Sequence, residues 1–135
     1  MYNHILVPVV LSDGEGVAAS YAAARALADR DAKFSVIHVL EEIPGFVAVD
    51  IPSNILTKAA ESADKALKES AKALPGATTK LLRGNAGTAI LNYASENGVD
   101  CIIIASHKPG IEDYFLGSTA ARVVRHAQCS VHVIR

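Results

Sequence analysis

The chain has 135 residues, half of them hydrophobic and 20% charged, with a formal net charge of -1. That length suffices for one domain with a true core, and the near-neutral balance lacks the clustered positive charge that attracts nucleic acid or an anionic membrane. No apolar stretch approaches the roughly 20 residues of a membrane span, and "MYNHILVPVV" carries no basic flank or cleavage site of a secretory leader, so one domain over residues 1–135 in the cytoplasm is expected.

The first strand is expected at "HILVPVV" (4–10) and is followed by a helix over 15–30. There Val17, Tyr21, Ala24 and Ala28 recur at helical spacing, and Ser12 or Asp13 is available as the cap. "FSVIHVL" (34–40) is the second strand. The connection "EEIPGFVAVDIPSN" (41–54) is long for a compact domain; such connections are commonly functional, and Phe46, Val47 and Val49 could cover a ligand or a partner subunit. A helix over 55–74 follows, with Ile55, Ala59, Ala63, Ala66 or Leu67 and Leu74 on one face, stopped by Pro75-Gly76. "TTKLLR" (78–83) alternates and is polar enough for an edge strand. A helix over 87–98 turns Ile90, Leu91 and Ala94 inward and ends at Asn97-Gly98; "DCIIIA" (100–105) is the fourth strand, a helix starts near Gly117, and "SVHVIR" (130–135) closes the chain.

Strand and helix alternate, and the other four strands are near-continuous apolar runs of the kind covered on both faces. The expected fold is therefore α/β: a five-stranded parallel sheet of order 3-2-1-4-5 with helices on both faces. In such a sheet the ligand crevice lies where the strand order reverses, at the carboxyl ends of the first and fourth strands.

The loop after the fourth strand carries the chemistry best suited to that crevice. Ala105 and Ser106 are small, Lys108 brings a positive charge, and Gly117 opens a helix whose next residues, Ser118 and Thr119, add hydroxyl donors. A helix start favours an anion by about 0.3–1 kcal/mol per charge, so a phosphate fits; a Ser118 that only caps the helix is the plainer alternative. His107 alone of the five histidines is placed to touch a phosphate, and no histidine pair has metal spacing. Glu112 and Asp113 form a solvated turn or hold magnesium through water. "GEGVAA" imitates a dinucleotide fingerprint at Gly14, Gly16 and Ala19, but its first glycine comes too late after the strand. Cys101 and Cys129 are expected as core thiols, and no serine has a companion base with an acidic orienter, so no catalytic residue is assigned.

The stretch "IIIASHKPGIEDYFLGSTAARVVRHAQCSVHVIR", with the opening "HILVPV", resembles the universal stress protein family, and the likeness runs through the whole chain. It implies the Rossmann-like fold of the adenine nucleotide alpha hydrolase type. Many members carry Gly-x2-Gly-x9-Gly-Ser/Thr after the fourth strand; the first two positions here are Ala105 and Lys108, the third is Gly117 before Ser118, and eight residues separate Lys108 from Gly117. "ASHKP" followed by "LGS" resembles a bacterial subgroup with Ala-Ser-His-Arg/Lys-Pro in this place, to which nucleotide binding is also attributed.

The resemblance implies that Pro8, Val9 and Val39 line an adenine and ribose pocket, largely through backbone groups, and that Val10 stands where the family usually has an aspartate facing the ribose or its metal. It further implies ATP, with or without Mg2+, as ligand, a regulatory output with at most slow hydrolysis or self-phosphorylation, and an unidentified regulatory protein partner. A homodimer through Ser130, Val131, His132, Val133 and Ile134 is implied as well, since an apolar edge strand needs covering. The alternative is a member that binds no nucleotide and acts by dimerisation and partner binding. A phosphotransfer receiver would need acids after the first strand and an aspartate after the third, where this chain has Val10-Leu11 and Arg83-Gly84-Asn85.

Overall fold

A computed structural model describes residues 1–42, 45–106 and 116–135. The chain forms β1 (Tyr2–Pro8), α1 (Gly14–Leu27), β2 (Ala28–Leu40), the short α2 (Gly45–Ala48), α3 (Ser53–Ala71), β3 (Thr78–Arg83), α4 (Ala86–Glu96), β4 (Cys101–Ala105), α5 (Ser118–His126) and β5 (Ser130–Ile134). The five strands make one sheet of order β3-β2-β1-β4-β5, parallel throughout, as the alternation of elements predicts.

Two apolar layers hold the sheet between its helices. On one face Ile5, Val7, Val9, Val36, Cys101 and Ile103 pack with Tyr21 and Ala24 of α1 and Leu67 and Ala71 of α3. On the other, Leu6, Ile37, Ile102 and Ile104 pack with Ile90 and Ala94 of α4 and Ala120 and Val123 of α5. Alternate residues of β1 thus feed opposite layers, which is why Ile5, Leu6 and Val7 are all fully buried in an unbroken apolar run. Tyr21 and Ser70 share a 2.8 Å hydrogen bond that ties α1 to α3. β3 and β5 are the sheet edges, and on β5 Ser130 and His132 are exposed while Val131, Val133 and Ile134 are half-buried.

Two boundaries differ from the sequence reading. The first helix ends at Leu27, not residue 30, and β2 begins at Ala28, because Ala28 pairs with Tyr2 before an irregularity restores register at His4 opposite Lys33. The periodicity of "ARALADR" cannot report that pairing. On α3 the inward face is set by Leu67 and Ala71, with Leu74 buried just past its end, while Ile55 is 53% exposed and Ala59 is also outside. Asn97-Gly98 ends α4 as expected, whereas α3 already stops at Ala71, before Pro75-Gly76; Gly76 and Gly98 have φ of +84 and +66, a conformation that only glycine adopts without strain.

Candidate functional site

The chain turns one way from β1 to β2 and β3 and the other way to β4 and β5, so the strand order reverses between β1 and β4, whose carboxyl ends are where sheets of this kind place a ligand crevice. Around it lie Pro8, Val9 and Val10, the end of β2 with Val39, and Ala105 and Ser106 after β4.

The β1 side is largely committed to structure. Val9 is 6% exposed, its amide donates to the Ile37 carbonyl at 2.8 Å, and its own carbonyl accepts from His38 Nδ1 at 2.9 Å. A carbonyl can only accept, so the His38 proton sits on Nδ1 and a neutral ring keeps its lone pair on Nε2. His38 is a mouth residue that strand periodicity does not single out; its one signal is a polar ring two residues before the end of a buried strand. Val39 packs half-buried on the α4–α5 layer. Pro8 is half-buried opposite Ile37, and Val10 is 61% exposed, with its carbonyl accepting from the Asp13 amide at 2.9 Å. Asp13 does not substitute for the missing aspartate: its Oδ1 accepts from the Gly16 amide at 3.0 Å and caps α1. A Cβ on Gly16 would lie 2.1 Å from Asp13 Oδ2, so the glycine is what lets the carboxylate close on the helix.

Ala105 pairs with Ile134, and Ser106 donates twice to the Ile134 carbonyl, from its amide at 2.8 Å and from Oγ at 3.2 Å. Gly117 is the N-cap of α5 and, having no side chain, makes no capping bond of its own to the first turn. A Cβ on Gly117 would rest 3.6 Å from the Ser106 carbonyl oxygen, so the start of the loop and the start of the helix lie side by side. Ser118 is exposed and Thr119 half-buried in that first turn. The turn holds no acidic residue, while Arg125 and His126 occupy the last turn, where the helix dipole favours cations. The structure therefore brings Ser106, Gly117, Ser118 and Thr119 together as the sequence implies; His107 and Lys108, with Glu112 and Asp113, lie outside the described residues.

Other groups read as structural. The Cys101 thiol is pushed up to about 11, first by burial and then by Cys129 and Asp100, and burial raises Cys129 as well, so neither is a ready nucleophile. At the opposite end of the sheet Asp100 accepts from the amides of Asn3 and His4, both at 2.9 Å, and His4 bridges the Asn97 carbonyl at 3.0 Å and Ser35 Oγ at 2.7 Å. A hollow of about 240 Å³ beside Leu74 and Thr79 also lies at that amino end, and its Lys68 and Lys72 are paired with Asp64 and Glu69 at 2.8 Å each. Among the described residues no group of three or more His, Cys, Asp or Glu could hold a metal ion, and no helix is long and apolar enough to cross a membrane.

Residues 1–135 match the profile of the Universal stress protein family. A relative from Thermus aquaticus, described as a universal stress protein in a QAH/OAS sulfhydrylase 3' region, is 32% identical over 139 residues, covering all of both chains. Among solved structures, the hypothetical protein MJ0577 superposes with a TM-score of 0.83 at 23% identity, over 99% of this chain and 96% of that one. The Archaeoglobus fulgidus universal stress protein in complex with dAMP gives 0.63 at 20%, over 99% and 98%. Two further chains of this fold, at 18% and 15% identity, are complexes with cAMP and with AMP.

Proposed function

The chain belongs to the universal stress protein family, and from that premise we propose that it binds an adenine nucleotide, ATP, at the mouth between β1 and β4 as a regulatory protein. One observation carries the reading: the first turn of α5, opened by the side-chain-free N-cap Gly117, stands against Ser106 at the reversal of the sheet, in a fold whose solved relatives include complexes with AMP, cAMP and dAMP. In this reading the amides and hydroxyls of Ser118 and Thr119, with Gly117, Ser106 and Ala105, receive the phosphates. His107 and Lys108 complete that cradle, and Pro8, Val9, Val10 and Val39 border the base and ribose. The described residues bring no cluster of carboxylates to the mouth, so Mg2+ would arrive on the phosphates and depend on them.

The chain works in the cytoplasm as a homodimer through Ser130 to Ile134 of β5. That strand is a sheet edge, and an edge with half-buried valines is a natural pairing surface. No general base is assigned, so the output is a bound state that another protein reads rather than turnover.

Calorimetric titration of the purified protein with ATP, with and without Mg2+, tests the assignment. Saturable binding at micromolar to low millimolar nucleotide is expected, and a flat titration at millimolar ATP would reject it. The competing reading, dimerisation and partner binding without nucleotide, draws on Val10, a 61% exposed apolar side chain at the mouth where the family's aspartate would stand.

A further inference from the structure

Ser106 stands where the candidate phosphate site meets the last strand. Its amide and its hydroxyl both donate to one acceptor, the Ile134 carbonyl, at 2.8 and 3.2 Å. Its own carbonyl lies against Gly117 at the start of α5, so the residue touches both the helix that would face a phosphate and the end of β5. The two donors differ in freedom. The amide belongs to the ladder that pairs Ala105 with Ile134, and it cannot leave without unzipping the strand. The hydroxyl turns about a single bond, and a phosphate oxygen, being charged, is the stronger acceptor.

Resting on the nucleotide reading above, we propose that Ser106 is a positioning residue that couples occupancy of the mouth to the end of β5: a bound phosphate draws the Ser106 hydroxyl from the Ile134 carbonyl, and the carboxyl end of the strand loosens. Linkage makes the effect reciprocal, so whatever holds the end of β5 tight weakens nucleotide binding by the same factor. The consequence reaches the outer edge of the sheet. Peptide groups alternate in direction along a strand, and with Ile134 facing β4 those of Val131 and Val133 face outward, where a second copy would pair.

Amide hydrogen exchange of the full chain across Ser130–Arg135, read by mass spectrometry without and with ATP at concentrations fixed by calorimetry, tests this. Loss of one neutral hydroxyl bond should speed exchange there about two- to tenfold on ATP addition. Ser106→Ala should show the faster exchange without nucleotide and no further change with it, while Ser106→Thr, which keeps the hydroxyl, should respond as the parent does. If ATP binds and β5 exchange is unchanged or slower, the coupling is refuted and the nucleotide site stands. If ATP does not bind, both fall together, and the calorimetry distinguishes that case.

Discussion

At the amino end of the sheet the Asp100 carboxylate holds the amides of Asn3 and His4, and the His4 ring joins Asn97 to Ser35; at the carboxyl end α5 starts on Gly117, an N-cap without a side chain, and Val10 stands 61% exposed. Both ends are built from the same five strands. The difference is that the amino end closes its polar groups on one another, whereas the carboxyl end starts a helix on a glycine, which supplies no side-chain acceptor, at the place where the strand order reverses. Hydrogen-bond donors that a protein leaves unfilled at such a reversal are suited to a ligand, and those it fills are suited to stability.

The largest expected effect comes from Gly117→Asp. The position is exposed and an added Cβ makes only ordinary contact, so the fold should hold, and an N-cap carboxylate should keep or slightly raise the melting temperature. The same carboxylate against phosphate should weaken ATP binding on the order of a hundredfold. Calorimetry beside thermal melting checks both, and loss of stability together with unchanged affinity would reverse the assignment of the two ends.

Next comes Asp100→Ala, which should do the opposite. It strips charge-assisted bonds from the two β1 amides and should lower unfolding stability by about 1–2 kcal/mol, discounted because the carboxylate is only half-buried. ATP affinity should not move, as read by urea titration and calorimetry on the same sample. The pH dependence follows the same bonds. Burial pushes the Asp100 carboxyl up, but the amides of Asn3 and His4, with its own amide, outweigh that and hold it below its ordinary value of 3.8. The folded state therefore binds the proton more weakly than the unfolded one, and this stabilisation is complete above 3.8 and disappears as pH falls through the lowered value. Urea titrations between pH 5 and about 2 should show the parent losing its advantage over Asp100→Ala, and a constant difference would contradict the clamp.

The smallest effect, and the one that sharpens the comparison most, is Val10→Asp. With Val10 61% exposed the substitution should change stability by less than about 0.5 kcal/mol. A carboxylate there should strengthen ATP binding about tenfold in the presence of Mg2+ and leave it unchanged or weaker without the metal. Equal affinity in both conditions would remove Val10 from the mouth.

The fold was legible because burial on both faces leaves a direct trace in residue type. "HILVPVV" and "DCIIIA" read as strands covered on both faces, and "TTKLLR", with its alternation, as polar enough for an edge, and the sheet order places them so. The site was legible in part. Gly117-Ser118-Thr119 announced a helix start, and of the two cap candidates Ser12 and Asp13 the carboxylate on the Gly16 amide selects Asp13. His38 carried almost no signal, since its partner is a backbone carbonyl 29 residues away.

The amino-acid sequence by itself determined the order of the five strands and four longer helices and the sheet topology, though not the short α2, because hydrophobic period and helix-start chemistry are local properties of a few neighbouring residues. Tertiary structure alone decided that the first helix yields to β2 at Ala28 and that Ser106 spends both donors on Ile134. Each of those outcomes is fixed by a partner about 15 or more residues distant, and a hydrogen bond or packing contact between such residues is selected by the assembled fold, not by the spacing of the residues beside it.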